Sequence, residues 1–93
     1  MASVTPPLGD ELILQLRAPV SLGDVEWREL KLTEPTVDQL TKSMKAGIGI
    51  EQTAMLLSLN AGIPLAAVQR MKQRDLQDAS AFFLHFEAST LTR

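Results

Sequence analysis

A chain with a single histidine and no cysteine has few routes to catalysis. His85 is the one side chain whose ordinary pKa lies near neutral pH. It follows Leu84 inside a helical pattern with no nucleophile motif beside it, so it reads as a partly exposed helix histidine. The acidic residues are spread along the chain, and no pair is marked as a buried acid–base couple. Gly47-Ile48-Gly49 lacks the further glycine and the Lys-Ser/Thr of a phosphate loop, and reads as a turn between helices. With one imidazole and no thiol, no metal-ligand spacing exists. Neither an enzyme nor a bound cofactor is expected.

Two constellations point instead to binding. Gln52 to Met71 has the outline of a helix-turn-helix: a helix ending at Ala61-Gly62, a short turn, then a helix with Val68 and Met71 facing inward. As a DNA reader it is poorly equipped. Lys42 and Lys45 are balanced by Asp38 and Glu51 over residues 35–69, and Leu65-Ala66-Ala67 offers nothing that hydrogen-bonds a base edge. A small DNA-binding regulator is therefore the alternative reading, and no nucleic-acid partner is expected. The second constellation is Phe82-Phe83. Adjacent helical residues point about 100° apart, so one narrow stripe does not take both rings. Either the helix is wedged between two layers, or one ring faces a partner. The expected partner-binding residues are Phe82, Phe83, Phe86 and Met71, together with Ile13, which lies opposite a leucine face.

Composition agrees with a binding role. At 93 residues with a formal net charge of −2 and a pI near 5.2, the chain is one domain without the footprint of a polyanion binder. Apolar residues are 45% and charged residues 22%, ordinary for a globular fold. No apolar run reaches the ~18 residues that a bilayer demands, and the N-terminus lacks the basic and apolar parts of a signal peptide. A cytoplasmic protein without membrane contact is the expectation.

The elements follow from pattern. Residues 1–9 hold Pro6, Pro7 and Gly9 and read as a flexible arm, with a single α+β domain over 10–93. Leu12, Leu14 and Leu16 alternate with polar neighbours or Ile13, the period of a strand. Pro19, Gly23 and Asp24 supply turn chemistry, and Val25 to Leu32 forms the return strand, giving a hairpin over 11–32 with a loop longer than two residues. Val25 and Trp27 lie on one face and Leu30 and Leu32 on the other, so a bulge near Arg28-Glu29 is required. Thr36-Val37-Asp38-Gln39 is a capping box that opens a helix running to about Ala46. Further helices run from Ile50 to Asn60, after Pro64, and from Arg74 or Asp75 onward. Gly62 stands where a left-handed helix end is needed. The fold class is α+β: an N-terminal β-hairpin followed by a bundle of about four short helices, spanning 36–91.

The stretch Leu30-Lys31-Leu32-Thr33-Glu34-Pro35-Thr36-Val37-Asp38-Gln39-Leu40 resembles the L-x-L-R-E-P-T-V-x-D-L segment of Mu-like bacteriophage tail assembly chaperones. Pro19-Val20 and Gly23 before it, and Asn60-Ala61-Gly62-Ile63-Pro64, Arg74-Asp75-Leu76 and Phe82-Phe83 after it, extend the resemblance over about residues 11–86. Thr33 replaces a basic residue of the pattern and Gln39 an acidic one. The resemblance implies a non-catalytic chaperone that binds the tape measure protein, with the major tail tube protein as a second partner, during tail morphogenesis in the host cytoplasm. It implies absence from the mature virion, and a chain that ends as the short form of a frameshifted pair. Self-association into a homo-oligomer would multiply weak contacts along an extended client.

Overall fold

The alternation of leucines at the N-terminus builds the first element of the computed structural model, which describes residues 11–91 and the side chains of 11–86. The arm expected at 1–9 lies outside the described residues. Strand β1 (Glu11–Leu22) pairs antiparallel with β2 (Val25–Thr33). Four helices follow: α1 (Val37–Ala46), α2 (Ile50–Ala61), the single turn α3 (Leu65–Val68), and α4 (Gln73–Leu91). The α+β class and its element order are those the sequence implies.

Two features of the hairpin correct the sequence reading. The turn holds only Gly23 and Asp24, since Leu22 pairs with Val25, and Gly23 takes φ +61°, the positive value that tight hairpins ask of glycine. Pro19 is not in the loop but in the strand. The irregularity lies beside Arg28-Glu29, where the parity slip puts it, with its extra residues on β1: Gln15 pairs with Glu29 and Val20 with Trp27, so Leu16 to Pro19 stand opposite Arg28 alone. Proline has no N–H to give the ladder, and the Arg17 N–H is drawn away to a carboxylate, as described below. The shift does what parity required. It brings Val20 and Trp27 opposite each other while Leu14 and Leu30 stay paired.

One face of the hairpin contributes Leu14, Val20, Leu30 and Leu32 to the core. Ala54, Leu56 and Leu57 of α2, Ile63, Ala67 and Val68 around α3, and Ala79 and Phe83 of α4 complete it. Helix α2 is central, touching α1, α3, α4 and β2, and Leu57 on it is fully buried. The other hairpin face is polar. There Gln15 donates to Glu29 at 2.9 Å, and Lys31 lies 3.6 Å from Glu11.

The segment carrying Glu34-Pro35-Thr36 is a joint between β2 and α1. The capping box forms in both directions: Gln39 N–H donates to Thr36 Oγ1 at 3.1 Å, and Thr36 N–H donates to Gln39 Oε1 at 3.2 Å. Asn60, at the end of α2, locks that joint. Its Oδ1 accepts the Thr33 N–H at 2.8 Å, and its Nδ2 donates to Gln39 Oε1 at 3.0 Å. Gly62 ends α2 in the left-handed region, φ +74° and ψ 35°, where lack of a Cβ removes the steric penalty. Between α1 and α2, Gly47 at φ +151° and Gly49 at φ +67° make the turn. A Cβ on Gly47 would run into the Glu51 side chain.

Candidate functional site

Helix α4 divides its aromatic residues by phase. Phe83 is 5% exposed and belongs to the core. Phe82 is half-buried against that core, and Phe86, one turn on, is half-buried too. The Phe82 and Phe86 rings meet edge-on, centroids 5.1 Å apart at 87°. Such pairing is worth about 0.5–1.5 kcal/mol beyond burial, and it holds a short aromatic ridge in one shape. His85 borders the ridge, its ring 5.4 Å from that of Phe86, and Leu84 is exposed nearby in sequence. Of the adjacent rings Phe82 and Phe83, the first lies at the surface and the second inside.

The β1 irregularity positions this helix. Asp75, in the first turn of α4, is fully buried. Its Oδ2 accepts the Arg17 N–H at 3.0 Å and its Oδ1 accepts Arg17 Nη1 at 2.7 Å. The same Nη1 donates to Asp78 Oδ2 at 2.8 Å. Hydrogen bonding to Asp78, then to Asp75, raises the Arg17 pKa above its ordinary value. A buried carboxylate is costly unless paired and bonded, and here both oxygens are used. Asp75 therefore joins the strand to the helix, and a carboxylate at a helix N-terminus also suits the dipole.

The remaining expected contact residues are dispersed. Met71 is half-buried and packs on the core. Ile13, 46% exposed, stands paired with Lys31 on the polar hairpin face, a solitary apolar side chain of the kind common on surfaces. The sequence reading missed a different concentration. Val37, Met44, Ile48 and Ile50 are all large, apolar and exposed, and lie on α1, in the turn after it, or at the first residue of α2. Spacing held the signal: Val37, Thr41 and Met44 recur at four and three residues, as on one helix face. Beside this turn an open groove of about 270 Å³ is lined by Gly49, Ile50, Thr53, Leu76, Gln77 and Ser80.

Other chemistry gains little from the fold. In the helix-turn-helix outline α3 has only Leu65 to Val68, with Ala67 and Val68 buried. At 1.5 Å per residue it is about 6 Å long, too short to lie along a major groove with a row of side chains at base edges. His85 is exposed, and Asp75 is consumed by Arg17. Among the described residues no three His, Asp or Glu side chains cluster as a metal site. No described helix is long and apolar enough to cross a membrane.

What the architecture defines is a small α+β module whose surface offers apolar side chains for contact. A family model described as phage tail assembly chaperone proteins, E, or 41 or 14, matches residues 14–88. The chain belongs to this phage tail assembly chaperone family. Among curated proteins and among solved structures nothing matches it.

Proposed function

We propose that the chain binds the tape measure protein during phage tail assembly, keeps its apolar helices from aggregating, and releases it without making or breaking a bond. Tail tube subunits are a second client, and the host cytoplasm is the compartment. The family match across residues 14–88 carries the reading. The α4 ridge supports it, because Phe82 is half-exposed while its neighbour Phe83 fixes the helix from inside. A modest apolar surface gives contacts that form and dissociate, as a protein that must leave its client requires. Met71 and Phe86 extend the same chemistry, and Met side chains adapt to varied partners.

The test is co-expression of the tagged chain with a tape measure protein of a phage that carries it, followed by affinity capture. Wild type is expected to retain the client, and Phe82→Ser is expected to lose most of it while still folding, with a lowered Tm because the ring packs on the core. Equal capture by folded Phe82→Ser removes the ridge from the mechanism. No capture by wild type overturns the client assignment.

A further inference from the structure

Helix α1 is attached to the body on one side only. It packs against α2, and its one fully buried side chain is Ser43, whose hydroxyl donates back to Leu40 O at 2.7 Å. Its exposed side sets large apolar residues among polar ones, Asp38, Thr41, Lys42 and Lys45. Val37 is 78% exposed, Met44 65%, Ile48 in the following turn 84%, and Ile50 at the start of α2 71%. Isolated exposed apolar residues need no explanation, whereas a contiguous group marks a contact site.

Spacing and charge together name the occupant. Val37 and Met44 are seven residues apart with Thr41 between them, the seam of a helix pair. Asp38 and Lys45 each follow a seam residue by one position, so both lie on the same flank of that seam. In an antiparallel pair equal flanks meet, and Asp38 of each copy faces Lys45 of the partner subunit. In a parallel pair this flank meets the opposite one, which carries Leu40 and Gly47 and no charge. Among the described residues no ion pair involves Lys45. Asp38 is 3.1 Å from Lys42 in an exposed i,i+4 pair, a weak contact that a second cation displaces or joins. The arrangement also sets the two helix dipoles head to tail, and brings the Ile48 turn of one copy to Val37 of the other.

We propose that a second copy of this chain docks antiparallel on the outer face of α1, with Val37, Thr41, Met44 and the Ile48 turn as seam and two Asp38–Lys45 pairs at its flank. The exposed apolar side chains correspond to on the order of 1,000 Å² buried across the pair, the lower limit for specific association. An interface of this size forms as the concentration rises rather than as an obligate unit. This stands apart from the client reading, since the α4 ridge is not part of the seam.

Sedimentation equilibrium on the full chain tests it, because the charges are exposed and their exchange leaves the core alone. Asp38→Lys and Lys45→Asp each place two like-charge pairs across the seam, and each is expected to weaken self-association at least about tenfold. Mixing the two variants is expected to restore association as a heterodimer, since both pairs become complementary again. Met44→Ser is expected to abolish dimers with unchanged helix content. Wild type that stays monomeric to about 500 μM, or variants that do not recover on mixing, overturns the proposal. If a folded Met44→Ser chain loses only client capture, the face belongs to the client and the proposal also fails.

Discussion

Replacing Asn60 by alanine probes the joint on which the relative placement of hairpin and helices depends. The side chain makes two good hydrogen bonds, accepting from Thr33 N–H at 2.8 Å and donating to Gln39 Oε1 at 3.0 Å. A weaker contact to Thr33 Oγ1 at 3.4 Å adds little. Each neutral hydrogen bond contributes about 1 kcal/mol net, and an N–H left unpaired in a part-buried site costs about 1 kcal/mol more. Gln39 Oε1 keeps Thr36 N–H as a donor, so the loss falls mainly on Thr33. The expected destabilisation is about 2–3 kcal/mol, or about 10–20 °C in Tm for a domain of this size. Thermal unfolding followed by far-UV circular dichroism reads it. Gln39→Ala combined with Asn60→Ala is expected to cost less than the two alone added together, because they share one bond. A Tm within about 2 °C of wild type for Asn60→Ala, or strict additivity in the double variant, refutes the idea that this network holds the joint.

Leu57→Ala empties the centre of the fold, and urea unfolding is expected to show a loss of about 3–5 kcal/mol. Phe83→Ala is expected to cost a similar amount, while Phe82→Ala costs under half of it, since only Phe83 is inside. Gly49→Ala forces a side chain into φ +67° with ψ −130°, and a cost of about 1–3 kcal/mol is expected although the space is open. Gly62→Asn, in the ordinary left-handed region, is expected to cost less than Gly49→Ala in the same unfolding series. Asp75→Asn keeps an acceptor for Arg17 N–H but loses the charge opposite the guanidinium, so hydrogen exchange is expected to quicken at Arg17 and in the first turn of α4, with α2 unchanged.

Much of the fold was legible because local chemistry and global packing agree. Thr36 with Gln39 announces a helix start in any context, and Asn60-Ala61-Gly62 announces an end, so both boundaries fall within a residue of the pattern. The place of the hairpin irregularity was legible from the parity slip beside Arg28-Glu29, but not that β1 carries the extra residues. Which strand carries the extra residues depends on where Arg17 N–H finds its partner, and that partner is Asp75, far along the chain. Pro19 reads as a turn residue locally, but in a strand already leaving its ladder the missing N–H is no loss. The α4 rings were half legible. Periodicity showed that Phe82 and Phe83 diverge, while only packing against Ala79 and the hairpin chooses Phe83 for the interior. The α1 surface was missed because an apolar stripe at helical spacing usually means core, and here α2 and the hairpin complete the core without it.

The most direct measurement is the sedimentable fraction of the tape measure protein refolded with increasing amounts of this chain, without nucleotide or any other cofactor. A chaperone that works by reversible apolar contact predicts that the pellet shrinks in proportion to the chain added and returns when the chain is removed. A pellet of constant size at every ratio, with the chain left in the supernatant, would contradict it.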